Sequence, residues 1–402
     1  MLDLLQNILT YLVPFVVVLS VVVFVHEFGH FQVARWRGVA IDTFSIGFGR
    51  TLIGWRDRQG VQWKIGALPL GGYVKFADDA DAMSTAPRER IEDPQALAEA
   101  RRAGLFHAQP LSTRSMVVAA GPVTNFIFAV LAFAAVAFAM GRDVTDYAAA
   151  TPRIGSVIAS MPAADAGLEA GEIVRAVDGV PLPGWGAFQE RIAASPGQTL
   201  TLTLEGADGG VRTVAVTPRA MERPTAEGDT VRVGALGVQL GILDSERVVE
   251  PVGVVEALGA GAGNTWAIIA RTGAYLGGIF SGQSSGRDIA GPLGILNASG
   301  QVTTIALDGA GPGLADQIAS VALALLGWAA MLSVAVGFAN LLPIPILDGG
   351  HLLFYAIEAL RGGRPLPPVA QDWAFRAGLA VMASLFLFAT WNDIARLFPG
   401  AQ

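Results

Sequence analysis

The chain has 402 residues, 52% of them apolar and only 15% charged, against about 25% charged in a soluble globular protein. With 27 Lys/Arg against 34 Asp/Glu and no dense basic cluster, the composition argues against nucleic-acid binding. The absence of cysteine excludes disulfides, thiolate zinc sites, iron–sulfur clusters and cysteine nucleophiles.

Leu4 to Val25 carries no charge. It has no basic segment before it and ends in a charged motif rather than a small-residue cleavage site, so it reads as a membrane span and not a signal peptide. Residues 34–115 hold twelve Lys/Arg, which assigns this loop to the cytoplasm. Within it, VQWKIGALPLGGYVKF at 61–76 predicts two short strands around a Pro-Leu-Gly-Gly turn, and residues 78–104 predict a polar, solvated insertion. Met116 to Met140 is the second uncharged run.

Residues 151–219 alternate short β runs with a small-residue helix, and TLTLTLE has the period of two expected of half-buried strands. They predict a compact domain of about 70 residues. Residues 221–250 read as a linker with one strand-like piece, Val231–Leu240. Residues 254–286, interrupted by Arg271, predict an interfacial helix. Gln317 to Leu347 is a third uncharged run. Ala377 to Asn392 is a shorter fourth one, extended by Trp373, Phe375 and Leu397–Phe398. Four spans place both termini and 141–316 outside.

The chemistry-bearing motif closes the first span: His26-Glu27-Phe28-Gly29-His30. Residues i and i+4 share a helix face, so two imidazoles can grip one zinc ion while the intervening glutamate acts on water. Only His107 and His351 remain as further histidines, and His107 has no motif around it. A catalytic zinc site takes a third protein ligand. Asp348, at the end of Asn340-Leu-Leu-Pro-Ile-Pro-Ile-Leu-Asp348-Gly-Gly-His351, is the candidate, with His351 as its rival. Pro343 and Pro345 must break the helix there, and broken helix at membrane depth is tolerated where it lines a wet cavity.

HEFGH, FSIGFG at Phe44–Gly49, GPVTN at Gly121–Asn125 and NLLPIPILDGGH at Asn340–His351 together resemble the site-2 protease family of intramembrane zinc metalloproteases. The bacterial regulator-of-sigma-E protease type is the nearest branch. The resemblance covers nearly the whole chain. It implies Zn2+ bound by His26, His30 and Asp348, Glu27 as general base, and Asn340 positioning substrate or stabilising an oxyanion. It makes 61–76 a membrane-associated β-loop and gives Asn125 a structural or substrate-related role. It likens 151–219 to a PDZ domain, of which close relatives often carry two and this chain one.

The fold class expected is therefore a polytopic α-helical membrane protein with four transmembrane helices, a membrane-associated β-loop and an inserted α+β PDZ domain. Its segments are 1–140, 151–219, 220–316 and 317–402. The expected location is the bacterial inner membrane with the PDZ domain outside. The expected partners are membrane lipid and single-span membrane proteins, anti-sigma-factor-like or remnant signal peptides, with the PDZ domain binding substrate or a peptide C-terminus. Two rival readings are a non-catalytic PDZ membrane scaffold, which predicts decay of the HExxH motif or Asp348, and a zinc transporter, which needs polar residues along its spans.

Overall fold

The protein is described from a computed structural model, over residues 7–77, 91, 93–224, 230–283, 286 and 289–397. The chain forms two compact units: Met140–Val252, and Met1–Ala139 together with Gly253–Gln402.

In the larger unit a π-helical turn, Ile8–Leu12, passes into helix α1, Val13–Trp36. Strands β1, Ile41–Arg56, and β2, Gln62–Phe76, follow. Each is bent into two runs, and pairing sets the four runs side by side in the order 51–56, 62–66, 41–46, 72–76. The Pro-Leu-Gly-Gly element lies inside β2, between its two runs. β1 bends at Gly47, where φ is +84° and a Cβ would press on the carbonyls of Leu68 and Gly66; only glycine adopts this conformation without strain.

The sheet is fixed to α1 by three rings. Phe44 lies 4.5 Å from Trp63 and 5.3 Å from Phe31, centroid to centroid. Helix α2, Pro94–Arg102, starts at Asp93, whose carboxylate accepts the N–H groups of Gln95 and Ala96, an ordinary N-cap. The rest of the polar insertion expected at 78–104 falls partly on 78–90 and 92, outside the described residues. Helix α3, Leu111–Met140, is continuous through Pro122.

The smaller unit contains β3 (Arg142–Asp143), β4 (Ile154–Val157), α4 (Pro162–Asp165), β5 (Ile173–Val177), β6 (Val180–Pro181), α5 (Trp185–Ala193), β7 (Leu200–Glu205), β8 (Val211–Val216), β9 (Arg219–Pro224), β10 (Thr230–Ala235), β11 (Val238–Leu240) and β12 (Val249–Glu250). Its main sheet runs β6-β5-β7-β8. Leu200, Leu202 and Leu204 point into a core with Ile154, Trp185 and Phe188, as the alternation predicts. The segment expected to be a linker is structured. β9 and β10 form a hairpin, β11 pairs with β4, and β12 pairs with β3. The unit therefore extends beyond 151–219 at both ends. β10 and β11 fall on the strand-like piece expected at Val231–Leu240, whereas the pairing of β11 and β12 with strands distant in sequence is not revealed by period alone.

Back in the larger unit come α6 (Val254–Phe280), α7 (Pro292–Asp308), α8 (Leu314–Asn340), α9 (Asp348–Leu360) and α10 (Pro368–Leu397). Segment 254–286, expected as an interfacial helix, is helical over α6. Small residues let the helices approach: Ala129 and Ala132 of α3 meet Ala330 and Val334 of α8, and a Cβ on Gly261 of α6 would strike the Val130 carbonyl of α3. Asp393 of α10 accepts the N–H groups of Gly291 at 3.0 Å and Gly294 at 2.9 Å, at the start of α7.

Among the described residues, four helices are long and apolar enough to cross a membrane: Ile8–Trp36, Leu111–Met140, Leu314–Asn340 and Pro368–Arg396. The last extends beyond its uncharged run to take in Asp372 and Arg376, which pair one turn apart at 2.9 Å.

Candidate metal centre

His26 and His30 stand one turn apart on α1, their rings nearly perpendicular at 87° and their Nε2 atoms 3.3 Å apart. The third vertex comes from the far end of the sequence. α8 stops at Asn340, residues 341–347 carry Pro343 and Pro345, and α9 starts at Asp348. The proline rings supply no N–H for a continuing helix. The backbone of Gly349 and Gly350 packs so tightly on the carbonyls of Leu341, Leu342 and Ile344 that side chains there would collide. This fold-back delivers Asp348 Oδ2 to 3.3 Å from His26 Nε2 and 3.4 Å from His30 Nε2, at a helix N-terminus that favours negative charge.

The three atoms form a triangle with sides of 3.3, 3.3 and 3.4 Å. A tetrahedral zinc ion with ligands at about 2.0–2.1 Å has ligand–ligand edges of about 3.3–3.4 Å. Asp348 Oδ2 is also buried without a hydrogen-bond partner, a costly state for a carboxylate unless a cation completes it. The donor set and its spacing fit zinc.

The profile of peptidase family M50 matches residues 14–385. The chain belongs to peptidase family M50. A Rhizobium meliloti protein, named as an inferred zinc metalloprotease, is 39% identical over 397 residues, covering 98% of this chain and 100% of the relative. The metalloprotease MmpA of Caulobacter vibrioides is 38% identical over 391 residues, covering 96% of this chain and 95% of the relative. This M50 chain is a zinc metalloprotease with membrane-spanning helices, and the scaffold and transporter readings give way to an enzyme.

Around the triangle the M50 chain holds each histidine from behind. His30 Nδ1 donates to the Val117 carbonyl of α3 at 2.9 Å, which leaves Nε2 with its lone pair free to face a metal. The side-chain amide of Asn125 meets His26 Nδ1 at 3.1 Å. A Cβ on Gly121 would run into both imidazoles, and one on Gly29 would run into Ala120 and Thr124. α1 and α3 therefore approach closely beside the two histidines.

Glu27 opens onto a cavity of ≈ 560 Å³ shared by the two histidines, Asp348 and Asn340. Gly72 of β2 is packed against the Glu27 side chain, with no room for a Cβ. Asn340 lies at the end of α8 with one amide N–H donated to the Val336 carbonyl at 3.1 Å. His351 and His107 line the same cavity but stand outside the cluster of three residues that could hold a metal ion. The His351 ring lies 5.6 Å from that of Phe375.

One ion pair escapes a reading of the sequence. Arg114 of α3 grips Glu358 of α9 with two nitrogens, at 2.6 and 3.2 Å, and stacks over Tyr355 at 4.9 Å. This pair ties the helix that begins with Asp348 to the helix that supports His30. The residues are 244 positions apart, and only their unusual setting beside apolar runs could have flagged them.

Proposed function

We propose that the enzyme hydrolyses peptide bonds of single-span membrane proteins within or near the membrane, using His26, His30 and Asp348 as zinc ligands. The observation that carries this reading is the ligand triangle, seated on one membrane-length helix and beside the end of another, opening onto the Glu27 cavity. Bound zinc supplies a Lewis acid for the scissile carbonyl and lowers the pKa of water from about 15.7 towards 7. Glu27 takes the proton of the attacking water and returns it to the leaving amine. Asn340 has a second amide N–H to orient the substrate or donate to the developing oxyanion.

A helical substrate hides its amides in its own hydrogen bonds, so it must unwind before it is cut. The 72–76 run pairs on one side only, with 41–46, among the described residues. Its other edge can receive an extended substrate as an added strand and offset the cost of unwinding. On this reading the enzyme resides in the bacterial inner membrane. The unit Met140–Val252, with its PDZ-like part, lies outside and restricts which substrates enter. Anti-sigma-factor-like proteins and remnant signal peptides are the substrate class.

The test is purified full-length protein in liposomes with a single-span substrate. Cleavage that depends on zinc and maps within or next to the apolar segment is expected. Cleavage confined to soluble peptides overturns the intramembrane reading.

A further inference from the structure

Asn125 is wholly buried on α3. Its main-chain carbonyl is taken by the Ser333 hydroxyl at 3.1 Å. Its side-chain NH2 is drawn 3.1 Å from His26 Nδ1, and its Oδ1 is buried with no hydrogen-bond partner. The two halves of an amide have the same shape, so which one faces the ring is settled by what the ring requires.

His26 turns Nε2 to the other two ligands, 3.3 Å from each. A metal-facing nitrogen must offer a lone pair, and a neutral imidazole then carries its proton on Nδ1. A protonated Nδ1 needs an acceptor, and NH2 is none. Turning the amide by 180° places Oδ1 on Nδ1–H and removes the orphaned oxygen. His26 then matches His30, whose Nδ1 already donates to the Val117 carbonyl.

We infer that Asn125 is a positioning residue of the metal centre: its side-chain carbonyl accepts the Nδ1–H of His26 and holds the tautomer and ring orientation that present Nε2 to zinc. The inference rests on His26 being a ligand. It gives the GPVTN segment a defined task, with Gly121 admitting the imidazoles and Asn125 orienting one of them. It also explains why an amide is buried between α3 and α8, in apolar surroundings where an unmet polar group is costly.

The experiment is zinc affinity of the full-length protein in detergent, by competition with a chelator, for Asn125→Leu, Asn125→Asp and His26→Ala. Loss of an outer-sphere partner lowers metal affinity about 10–100-fold, so Asn125→Leu is expected to fall by that much. Asn125→Asp keeps an acceptor and is expected to stay within about threefold of the parent or to bind more tightly, as carboxylate–histidine–zinc arrangements do. A leucine variant that binds as the parent does overturns the inference. So does an aspartate variant as weak as the leucine variant but with the parent's melting temperature. Should the aspartate variant fail to fold, nitrogen NMR of histidine-labelled parent protein decides. A protonated Nδ1 on His26 in the zinc-loaded state supports the inference, and an unprotonated one refutes it. Unchanged affinity in His26→Ala refutes the ligand assignment itself.

Discussion

Arg114 and Glu358, in the unit built on membrane-length helices, meet at 2.6 and 3.2 Å with side chains 16% and 10% exposed. Arg191 and Asp178, in the unit Met140–Val252, meet at 3.0 Å with side chains 51% and 33% exposed. The contacts are alike and the surroundings differ. Water competes for the second pair, so that pair contributes little to stability. The first pair sits where removing one partner strands the other, at a cost of about 3–5 kcal/mol. In the helical unit polar groups are few, and the ones described here face one another across helices: His30 to Val117, His26 to Asn125, Asp393 to the start of α7. The smaller unit spreads its charges over a surface and draws its stability from a core of Ile154, Trp185, Phe188 and the three leucines of β7. A polar substitution should therefore be graded by the unit it falls in before its own chemistry is considered.

The sharpest way to break this comparison is at the metal centre. Glu27→Gln keeps shape and polarity and removes the base. Cleavage of a membrane substrate is expected to fall about 10²–10⁴-fold, while zinc content stays at the parent level. Asp348→Asn and His30→Ala should lose both, and Asn340→Ala should lose activity alone. Metal analysis beside a cleavage assay separates these outcomes. Parental activity in Glu27→Gln would reject its role as base.

Next is Gly121→Ala, a change of one methyl group. A Cβ there would overlap the His30 ring and contact His26, and a packed interior does not absorb such an addition freely. Zinc affinity is expected to drop at least about tenfold, the scale of a disturbed outer shell, with helical content retained. Alanine at a surface glycine of the smaller unit should do nothing comparable, provided φ is negative there. Equal zinc affinity in Gly121→Ala would show that α1 and α3 can move apart.

The sequence already displayed the histidine pair, because His26 and His30 lie on one helix at a spacing that a helix converts directly into proximity. It displayed the break before Asp348 as well, since Pro343 and Pro345 cannot continue a helix. Four apolar runs marked the membrane-length helices. What it could not display depends on contacts between distant segments. Asn125 reaches His26 across 99 positions, and β11 pairs with β4 across the intervening strands β5 to β10. Strands β9 and β12 were hidden because polar runs of two to six residues carry no period that separates them from linker, whereas β10 and β11 fall on the strand-like piece Val231–Leu240.

Arg114→Ala tests the buried pair directly. It leaves Glu358 without its partner, and the helical unit is expected to lose about 3–5 kcal/mol, read as a lower melting temperature in detergent. Replacing both residues by apolar ones of similar size, Arg114→Met with Glu358→Leu, should recover most of that loss. If the single variant melts like the parent, this pair behaves as a surface pair and the contrast between the units fails at that point.

The smallest effect is expected at Glu172, the best-buried acid of the smaller unit's ion pairs. Arg212 donates to it at 2.7 and 2.9 Å, and Arg212 also reaches the Gly167 carbonyl. The hydrogen bonds from Arg212, with that from the Glu169 N–H, hold the Glu172 carboxyl below the usual glutamate range. A carboxyl whose folded value is depressed adds stability at neutral pH, and that contribution is lost as pH falls below about 4.3, the unfolded value, and through the folded value. Arg212 keeps much of its exposure at 43%, so solvent screens the pair. Glu172→Gln is expected to cost about 1 kcal/mol at pH 7, seen as modestly faster proteolysis within Met140–Val252 of the intact chain. The difference between variant and parent should shrink as pH drops from 5 towards 3, because protonation of Glu172 removes in the parent what the substitution removes in the variant. A difference that grows on acidification would mean that the carboxyl is not held by Arg212.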